Sequence, residues 1–373
     1  MKFTADRIAM ANAAKLAAEA AGSRPTNPLF FNLRIDAAKK TGVRISATDL
    51  DIRYETTIAE SDVSKPGTVL APAKLLAKLL SDIKADHVEM ALKDTTLTVK
   101  AAGQVYDFAT ADPADWPHID DDPPAPFVTV AAKDLAAALK AIEPFPSAVK
   151  GEYAFNSVNI VPGPHAASLF GTNGRFMRHF KIEAVLSPDF ILPLAFQVLI
   201  PPRLTSLVAR LCDDGDVKIS LFENKTVFCA GAAVLSGLSV YGKYPDIGSF
   251  LATRIDDPGR FTVRREDFVD AITLASHMAA DEGSTAGIRF ELTKDLATLR
   301  SAAPGRGTAA VPVNVSYTGD ETRFGLAGDY LLKILHTFAA DEVTVTFIDK
   351  DNSFVVHAGD PGNNIAMVAP IEV

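Results

Sequence analysis

A unit of three parts recurs along the chain: an amphipathic helix, a polar turn and a segment in which apolar and polar residues alternate. Apolar residues at three- and four-residue spacing predict the helix, and alternation predicts a strand. The alternating segments begin at Val88, Val217 and Val343, which are 129 and 126 residues apart in a chain of 373. The three copies read PAKLLAKLLSDI before Val88–Val99, PPRLTSLVARLCDDGD before Val217–Phe228, and GDYLLKILHTFAADE before Val343–Phe354. This fixed period predicts one structural unit used three times.

A second repeated pattern opens each third of the sequence: a short strand that runs directly into an amphipathic helix. These openings begin at Phe3, Val130 and Val263, at spacings of 127 and 133 residues. They bring the prediction to two helices in each third, and the remaining segments predict short antiparallel strands. We therefore expect an α+β fold of three repeated domains, spanning residues 1–123, 124–252 and 253–373. Joins rich in proline and charge, at Asp120–Pro126 and Thr253–Gly259, place the boundaries.

The composition narrows the class of protein. Hydrophobic residues make up 48% and charged residues 22%, as in globular proteins rather than disordered ones. The 37 basic and 46 acidic residues give a formal charge of −9, which argues against a uniformly basic, nucleic-acid-coating surface but allows a basic lining inside an acidic exterior. Two cysteines, Cys212 and Cys229, provide neither a disulfide framework nor a cysteine-based zinc site. The charged start and the lack of a long apolar stretch predict a cytoplasmic protein.

Motifs for catalysis and metal binding are missing from the sequence. It has no P-loop, no Gly-x-Ser-x-Gly, no Gly-x-Gly-x-x-Gly after a strand and no His-Glu-x-x-His. The acidic runs Asp120–Asp122 and Asp213–Asp214 lie beside Pro or Gly, which favours solvated turns over a divalent-metal site. We expect a protein that is not an enzyme and has no cofactor and no metal. The alternative is an active site that only folding assembles.

Five short segments, in order along the chain, carry a resemblance to a known family. Arg24–Leu29, followed by Phe-Phe-Asn-Leu, resembles Arg-Pro-Thr-x-Pro-Ile-Leu-x-Asn-Leu, and Ala47–Asp51 resembles Thr-Asp-Leu-Glu. Ala114–Pro117 resembles Asp-Phe-Pro, Thr172–Arg175 resembles Thr-Asp-Gly-His-Arg, and Gly242–Asp246 resembles Gly-Lys/Arg-Phe/Tyr-Pro-Asp. The family that these segments resemble is the bacterial DNA sliding clamp, the beta subunit of DNA polymerase III.

The sequence also departs from that family. Ala369–Val373 stands where the family has Met-Pro-Met-Arg-Leu, and the fourth segment lacks the histidine and has Asn173 in place of the aspartate. These differences leave room for a divergent paralogue. The function implied is a processivity factor, a homodimeric ring that slides on duplex DNA and tethers polymerases; the alternative is a clamp-fold paralogue that binds proteins without encircling DNA.

The resemblance implies a closed ring of two chains in head-to-tail order, in which each chain forms one half of the ring. The strand that contains Tyr106 and Phe108 then meets the helix around Ile272, Leu274 and Met278 of the other chain. Each of these five residues is equally compatible with a place in the core of its own domain.

The ring would bind duplex DNA without sequence preference, through cations that contact phosphates loosely. The residues that the resemblance and the predicted helices assign to DNA are Arg24, Lys150, Tyr153, Lys74, Lys78, Arg203 and Arg210. The alternative for the helical residues is an ordinary solvated helix face.

The resemblance also implies a groove that binds a short apolar peptide of each partner. Its walls would be Phe155, Thr172, Gly174, Arg175, Met177, Pro245, Ile247, Met367, Val368, Pro370 and Ile371, although Phe155, Met177 and Met367 are equally compatible with core positions. We expect Glu372 to lie at the rim and to repel acidic peptides. The implied partners are the DNA polymerase III catalytic subunit, the clamp loader, and other polymerases and repair proteins that carry clamp-binding peptides, with no membrane partner.

Overall fold

The structure is a computed structural model that describes residues 1–22, 27–117, 123–149, 154–193, 195–245, 259–279, 287–305, 307–359 and 362–372. Among these residues there are six α-helices: α1 (Arg7–Ala20), α2 (Ala73–Asp82), α3 (Ala132–Ile142), α4 (Pro202–Leu211), α5 (Arg265–Ser276) and α6 (Gly328–Leu335). Short 3-10 helices span Pro28–Phe31 and Pro113–Asp115. The described part of each third thus holds two α-helices, as the repeated pattern predicts.

The described residues form twenty-six strands, all paired antiparallel where a register is defined. Those of the first third are β1 (Lys2–Asp6), β2 (Asn32–Ala38), β3 (Gly42–Thr48), β4 (Ile52–Ile58), β5 (Ser61–Lys65), β6 (Gly67–Pro72), β7 (His87–Lys93), β8 (Thr96–Ala101) and β9 (Gln104–Ala109). Those of the second are β10 (Val128–Ala131), β11 (Val158–Pro162), β12 (Ala166–Thr172), β13 (Phe176–Leu186), β14 (Val198–Ile200), β15 (Asp216–Phe222), β16 (Lys225–Ala230) and β17 (Ala233–Leu238). Those of the last are β18 (Gly259–Arg264), β19 (Gly287–Thr293), β20 (Leu296–Ala303), β21 (Gly307–Asn314), β22 (Ser316–Tyr317), β23 (Thr322–Ala327), β24 (Glu342–Phe347), β25 (Phe354–His357) and β26 (Asn364–Val368). This mixture confirms the predicted α+β class.

The chain divides into two compact units. Unit 1 contains residues 1–137, 184–194 and 203–239, and unit 2 contains residues 138–183, 195–202 and 240–373. The division into three domains at residues 123 and 252 stays a prediction, because residues 120–122 of the first predicted join and residues 253–258 of the second lie outside the described residues.

Unit 1 contains two antiparallel sheets. One has the strand order β5-β1-β7-β8-β9. In the other, the strands follow each other as β10-β15-β16-β17-β4-β3-β2-β6, so that β17 of the second third pairs directly with β4 of the first. Phe30, Leu70 and Trp116 form a small buried cluster beside this sheet.

Unit 2 repeats this arrangement with different residues. Strands β14, β11, β12 and β13 pair in that order, and β13 pairs with β26, which continues through β25 and β24 to β18. A separate sheet has the order β21-β20-β19-β23. Stacked and tilted aromatic rings fill the core, with Phe324 5.2 Å from Phe290 and 4.4 Å from Phe354 between ring centres.

The repeat seen in the sequence is a repeat of strand pairing. In each third the opening strand lies beside the strand that follows the second helix: Ala5 is opposite Val88, Val130 opposite Val217, and Val263 opposite Val343. A backbone hydrogen bond recurs just beyond these pairs, from the N–H of Arg7 to Asp86, of Ala132 to Gly215 and of Arg265 to Asp341, at 2.8 to 2.9 Å. The period therefore records one local topology used three times.

One feature of the prediction is wrong: each alternating segment is a hairpin rather than a single strand. The chain reverses at Asp94 and Glu223, which have left-handed φ values of 51° and 53°, between β7 and β8 and between β15 and β16. In the third copy β24 ends at Phe347 and β25 begins at Phe354. A two-residue turn preserves an alternation of period two, so the pattern runs through the first two reversals without a break.

Candidate functional site

Unit 2 contains a cavity of about 330 Å³ with mostly apolar walls. The hairpin of β12 and β13, the end of β26, the loop before β25 and two separate loops contribute to it. Its lining residues are Phe155, Thr172, Gly174, Arg175, Phe176, Met177, Pro245, Ser353, Met367 and Ala369. A concave apolar surface with a few polar groups is suited to binding an apolar peptide or a small molecule.

The turn between β12 and β13 forms one side of the cavity and is held by its own side chains. Thr172 Oγ1 accepts a hydrogen bond from the Gly174 N–H (3.0 Å) and donates to the carbonyl of Phe176 (2.8 Å). Asn173 Oδ1 accepts from the N–H groups of Arg175 and Phe176, at 2.9 and 3.1 Å. Gly174 has φ +86°, which a residue with a Cβ rarely adopts. The sequence Thr-Asn-Gly-Arg thus encodes a fixed turn.

Strand β26 forms the adjacent wall. It pairs with β13 so that Met367 lies opposite Met177, and the Ala369 N–H donates to the Arg175 carbonyl at 2.8 Å. Met177 and Met367 belong to a buried cluster with Tyr244, whose hydroxyl pKa is raised by burial. The methionines at the cavity wall therefore rest on a packed layer.

Phe176 forms the floor on the other side of the turn. It stacks on Tyr330 with 4.4 Å between ring centres and lies 4.8 Å from the ring of Phe145. The Lys333 ammonium lies 5.6 Å from the centre of the Phe176 ring. This support leaves Phe176 only 3% exposed.

Behind the cavity, β13 carries a buried cation. Arg178 has no exposed surface, and its guanidinium lies between the rings of Phe180 and Phe338, at 4.4 and 4.1 Å from their centres. Its Nε donates to Thr337 Oγ1 at 2.9 Å, while Nη1 and Nη2 find no hydrogen-bond partner among the described residues. Burial lowers the pKa of Arg178 to about 9. Its neighbour His179 is buried against the ring of Phe170.

Seven residues assigned to the groove from the sequence lie around this one cavity: Phe155, Thr172, Gly174, Arg175, Met177, Pro245 and Met367. Val368, Pro370 and Ile371 belong to the same C-terminal segment but do not line it, and Ile247 lies outside the described residues. Three lining residues were missed: Phe176, Ser353 and Ala369. Phe176 and Ala369 left a signal in the sequence, since Phe176 directly follows the Thr172–Arg175 segment and Ala369 lies between the assigned residues Val368 and Pro370, whereas Ser353 left none.

The residues assigned to DNA fall into three groups. Arg24, Lys150 and Tyr153 lie outside the described residues. Lys74 and Lys78 are exposed one turn apart on α2. Arg203 and Arg210, on α4, form ion pairs with Asp49 and Glu19. Those two cations are therefore already partnered within unit 1.

The residues assigned to the dimer joint differ in how far they are exposed. Phe108 is 6% exposed and Ile272 is fully buried, so both are core residues and present almost no surface to another chain. Tyr106 and Met278 are half-buried. Leu274 is 55% exposed on α5. Phe108 and Ile272 therefore occupy core positions of their own chain, which was the alternative to a place in the dimer joint.

The described residues contain no group of three or more His, Cys, Asp or Glu side chains placed to hold a metal ion. Within the same part of the chain, none of the helices has both the length and the apolar character needed to cross a membrane.

Comparison with protein families decides the relationship suggested by the sequence motifs. Residues 1–120 match the model of the DNA polymerase III beta subunit, N-terminal domain, and residues 257–371 match that of its C-terminal domain. The two matches together cover more than half of the chain. This chain belongs to the DNA polymerase III beta subunit family.

Whole-length similarity accompanies the family match. The beta sliding clamp of Escherichia coli K12 is 19% identical over 383 aligned residues, which include all of both chains. Among solved structures, a sliding clamp from Pseudomonas aeruginosa bound to griselimycin has a TM-score of 0.89 at 21% identity, and a DNA polymerase III beta subunit from Thermotoga maritima has 0.88 at 15%, each covering 99 to 100% of both chains. The fold of this beta subunit family member is thus that of the sliding clamps.

Proposed function

We propose that this chain is the processivity factor of a replicative DNA polymerase, a homodimeric ring that encircles duplex DNA. The observation that carries the proposal is the match of both ends of the chain to the beta subunit family, together with similarity to clamps over the whole length. These full-length similarities disfavour the alternative of an interaction module that has lost the clamp function.

Two strand edges favour head-to-tail assembly. Among the described residues, β9 pairs only with β8, and β21 pairs only with β20. An unpaired edge is a template for a strand of another chain, and a ring of two copies would cover both edges twice. We propose that β9 of one chain meets β21 of its partner, with Tyr106 and Leu274 supplying apolar contact beside the paired edges.

Binding to DNA would be electrostatic and independent of sequence. With a formal charge of −9, the chain needs its cations concentrated on one surface to attract phosphates. We propose that Lys74 and Lys78 on α2 contribute to that surface, together with Arg24, Lys150 and Tyr153. Arg203 and Arg210 contribute less, since their charges are partly neutralised by Asp49 and Glu19.

The cavity beside the Thr172–Arg175 turn would hold an apolar peptide segment of polymerases and other partners. Burying one Leu or Phe side chain contributes about 1.5 to 3 kcal/mol, so two such anchors sustain micromolar affinity after ordering costs. Such tethering requires no catalytic group and no cofactor in this chain, and we place the protein in the cytoplasm.

Retention on DNA of different topology tests the proposal. The protein, loaded by a bacterial clamp loader, should stay on nicked circular DNA and leave linear DNA through its ends, and light scattering should give about twice 39.7 kDa. A polymerase that it tethers should extend primers further per binding event. Equal retention on circular and linear DNA, or a monomer at micromolar concentration, would contradict a sliding ring.

A further inference from the structure

Arg175 is the one charged residue among the described residues that line the cavity. The others are apolar or uncharged, from Phe155 and Met367 to Thr172 and Ser353. Its side chain is exposed, and none of the ion pairs found between described residues includes it. A ligand that fills the apolar cavity would shield this guanidinium from part of the water around it, which would strengthen its attraction for an anion on the ligand.

The position of Arg175 is fixed by its backbone. Its N–H donates to Asn173 Oδ1 (2.9 Å), and its carbonyl accepts from the N–H of Ala369 (2.8 Å). The next residue, Phe176, is anchored in the aromatic stack with Tyr330. A charged side chain on a rigid base loses less conformational entropy when it binds a ligand than one on a flexible loop.

The acid expected at the rim, Glu372, is not among the residues that line the cavity. After Ala369, which lines the cavity, the chain runs to Ile371, whose N–H donates to the Gly325 carbonyl on β23 at 2.9 Å. Glu372 is therefore three residues beyond the cavity wall, at most about 10 Å along the chain. Asp349, near the lining residue Ser353, accepts hydrogen bonds from the N–H groups of Asp351 and Asn352. Among the described residues that line the cavity, the only charge is thus the positive one of Arg175.

We propose that Arg175 selects partner peptides that carry a carboxylate beside their apolar anchors. The carboxylate belongs either to an Asp or Glu side chain or to the free C-terminus of the peptide, because a guanidinium pairs with both in the same two-pronged geometry. This preference is the reverse of the one expected from Glu372. It rests on the proposed function, since it requires that the cavity bind a peptide.

Calorimetry with the full chain and matched peptides tests the proposal. The probes are peptides of the Gln-x-x-Leu-x-Phe type, which the resemblance to the sliding clamps implies for partner proteins, with Asp or Asn at one x next to an anchor, each with a free or an amidated C-terminus. At about 50 mM salt, each carboxylate source that Arg175 recognises should tighten binding about 3- to 10-fold over its neutral twin, and the ratio should fall toward one at about 500 mM salt. If the Asp peptide binds more tightly than the Asn peptide, the carboxylate is that of a side chain; if the peptide with a free C-terminus binds more tightly than the amidated one, the carboxylate is the C-terminal one.

Two variants distinguish an effect of the Arg175 side chain from a general effect of the protein's positive charges. Arg175→Gln should bring the ratio of acidic to neutral affinity to about one at both salt concentrations. Lys181→Gln removes one exposed positive charge six residues further along β13 and should keep the ratio. A ratio of one in the parent protein, or a ratio retained by Arg175→Gln, overturns the proposal.

A different result would show that the cavity does not bind the peptide. If Phe155→Ala binds the neutral peptide as tightly as the parent protein does, the cavity is not the peptide site. If no peptide binds the parent protein at all, both the groove and the selectivity of Arg175 are refuted.

Discussion

Arg203, at the start of α4, donates a hydrogen bond to the carboxylate of Asp49, a residue of the β3–β4 turn 154 positions earlier in the chain. The same guanidinium donates to the carbonyls of Glu19 and Ala20 at the end of α1, at 2.6 and 3.0 Å. Asp49 in turn accepts from the Ile52 N–H through its other oxygen (2.9 Å). Arg203 therefore joins the second third of the chain to two elements of the first.

We expect Arg203→Ala to lower the free energy of unfolding by about 1 to 3 kcal/mol. The loss follows because the Asp49 carboxyl group, with a side chain only 13% exposed, loses its ion-pair and hydrogen-bond partner. Arg210→Ala should cost less than about 1 kcal/mol, since the Arg210 and Glu19 side chains are 53% and 41% exposed. Urea denaturation of both variants measures the difference.

The same pair of variants decides between stability and DNA contact at this position. If Arg203→Ala unfolds like the parent protein but loses DNA retention, the residue acts on DNA, as the sequence suggested. A double-mutant cycle with Asp49→Asn should give a coupling free energy that differs clearly from zero if the pair holds unit 1 together.

His179 should make the stability of the protein depend on acid pH. Burial, and then the charges of Arg178 and Lys181, lower the pKa of His179 from its usual 6.5 to about 4. The fold therefore prefers the neutral ring, and its stability is unaffected above about pH 6.5 and is lost as the pH falls from there toward 4, by an amount on the order of 3 kcal/mol.

Variants at two histidines test this dependence. The free energy of unfolding should decline less steeply between about pH 6.5 and pH 4 in His179→Gln. The difference in slope should correspond to the uptake of close to one proton on unfolding. His165→Gln, at an exposed position before β12, serves as the control for replacing a histidine by glutamine. An unchanged slope in His179→Gln would show that this ring does not titrate with folding.

At the buried cation Arg178, the chemically conservative replacement should be the worse one. A lysine ammonium is compact and strongly hydrated and cannot stack between Phe180 and Phe338, whereas a methionine fills the space without a charge. We expect Arg178→Lys to be at least about 2 kcal/mol less stable than Arg178→Met, measured by chemical denaturation. Equal stability of Arg178→Lys and the parent protein would contradict the importance of the stack.

Leu274 offers a direct test of the dimer. Leu274→Asp should weaken the dimer at least about tenfold without unfolding the chain, because it places a charge in an apolar contact. Leu75→Asp, on α2, is a matched control, since Leu75 is 58% exposed and Leu274 55%. Sedimentation equilibrium gives the two dissociation constants, and equal values would remove Leu274 from the interface.

The repeated local structure could be predicted from the sequence alone. The openings at Phe3, Val130 and Val263 and the segments at Val88, Val217 and Val343 could be located because apolar periodicity depends on neighbours a few residues away. Apolar periodicity also predicted two helices in each third and the α+β class. It could not show the reversals at Asp94 and Glu223, since a two-residue turn leaves the alternation in phase.

Tertiary structure decided which side chains meet, because each partner comes from a distant stretch of the chain. It brought Phe155, Thr172, Pro245 and Met367 to one cavity and added Ser353, for which no local pattern gave a signal. Ile272 repeats at helical spacing like any interface residue, and only the packing of unit 2 around it shows that it is core. Arg203 is an ordinary helical cation in the sequence; that Asp49 neutralises it follows from the pairing of β17 with β4, which brings the two thirds of the chain together.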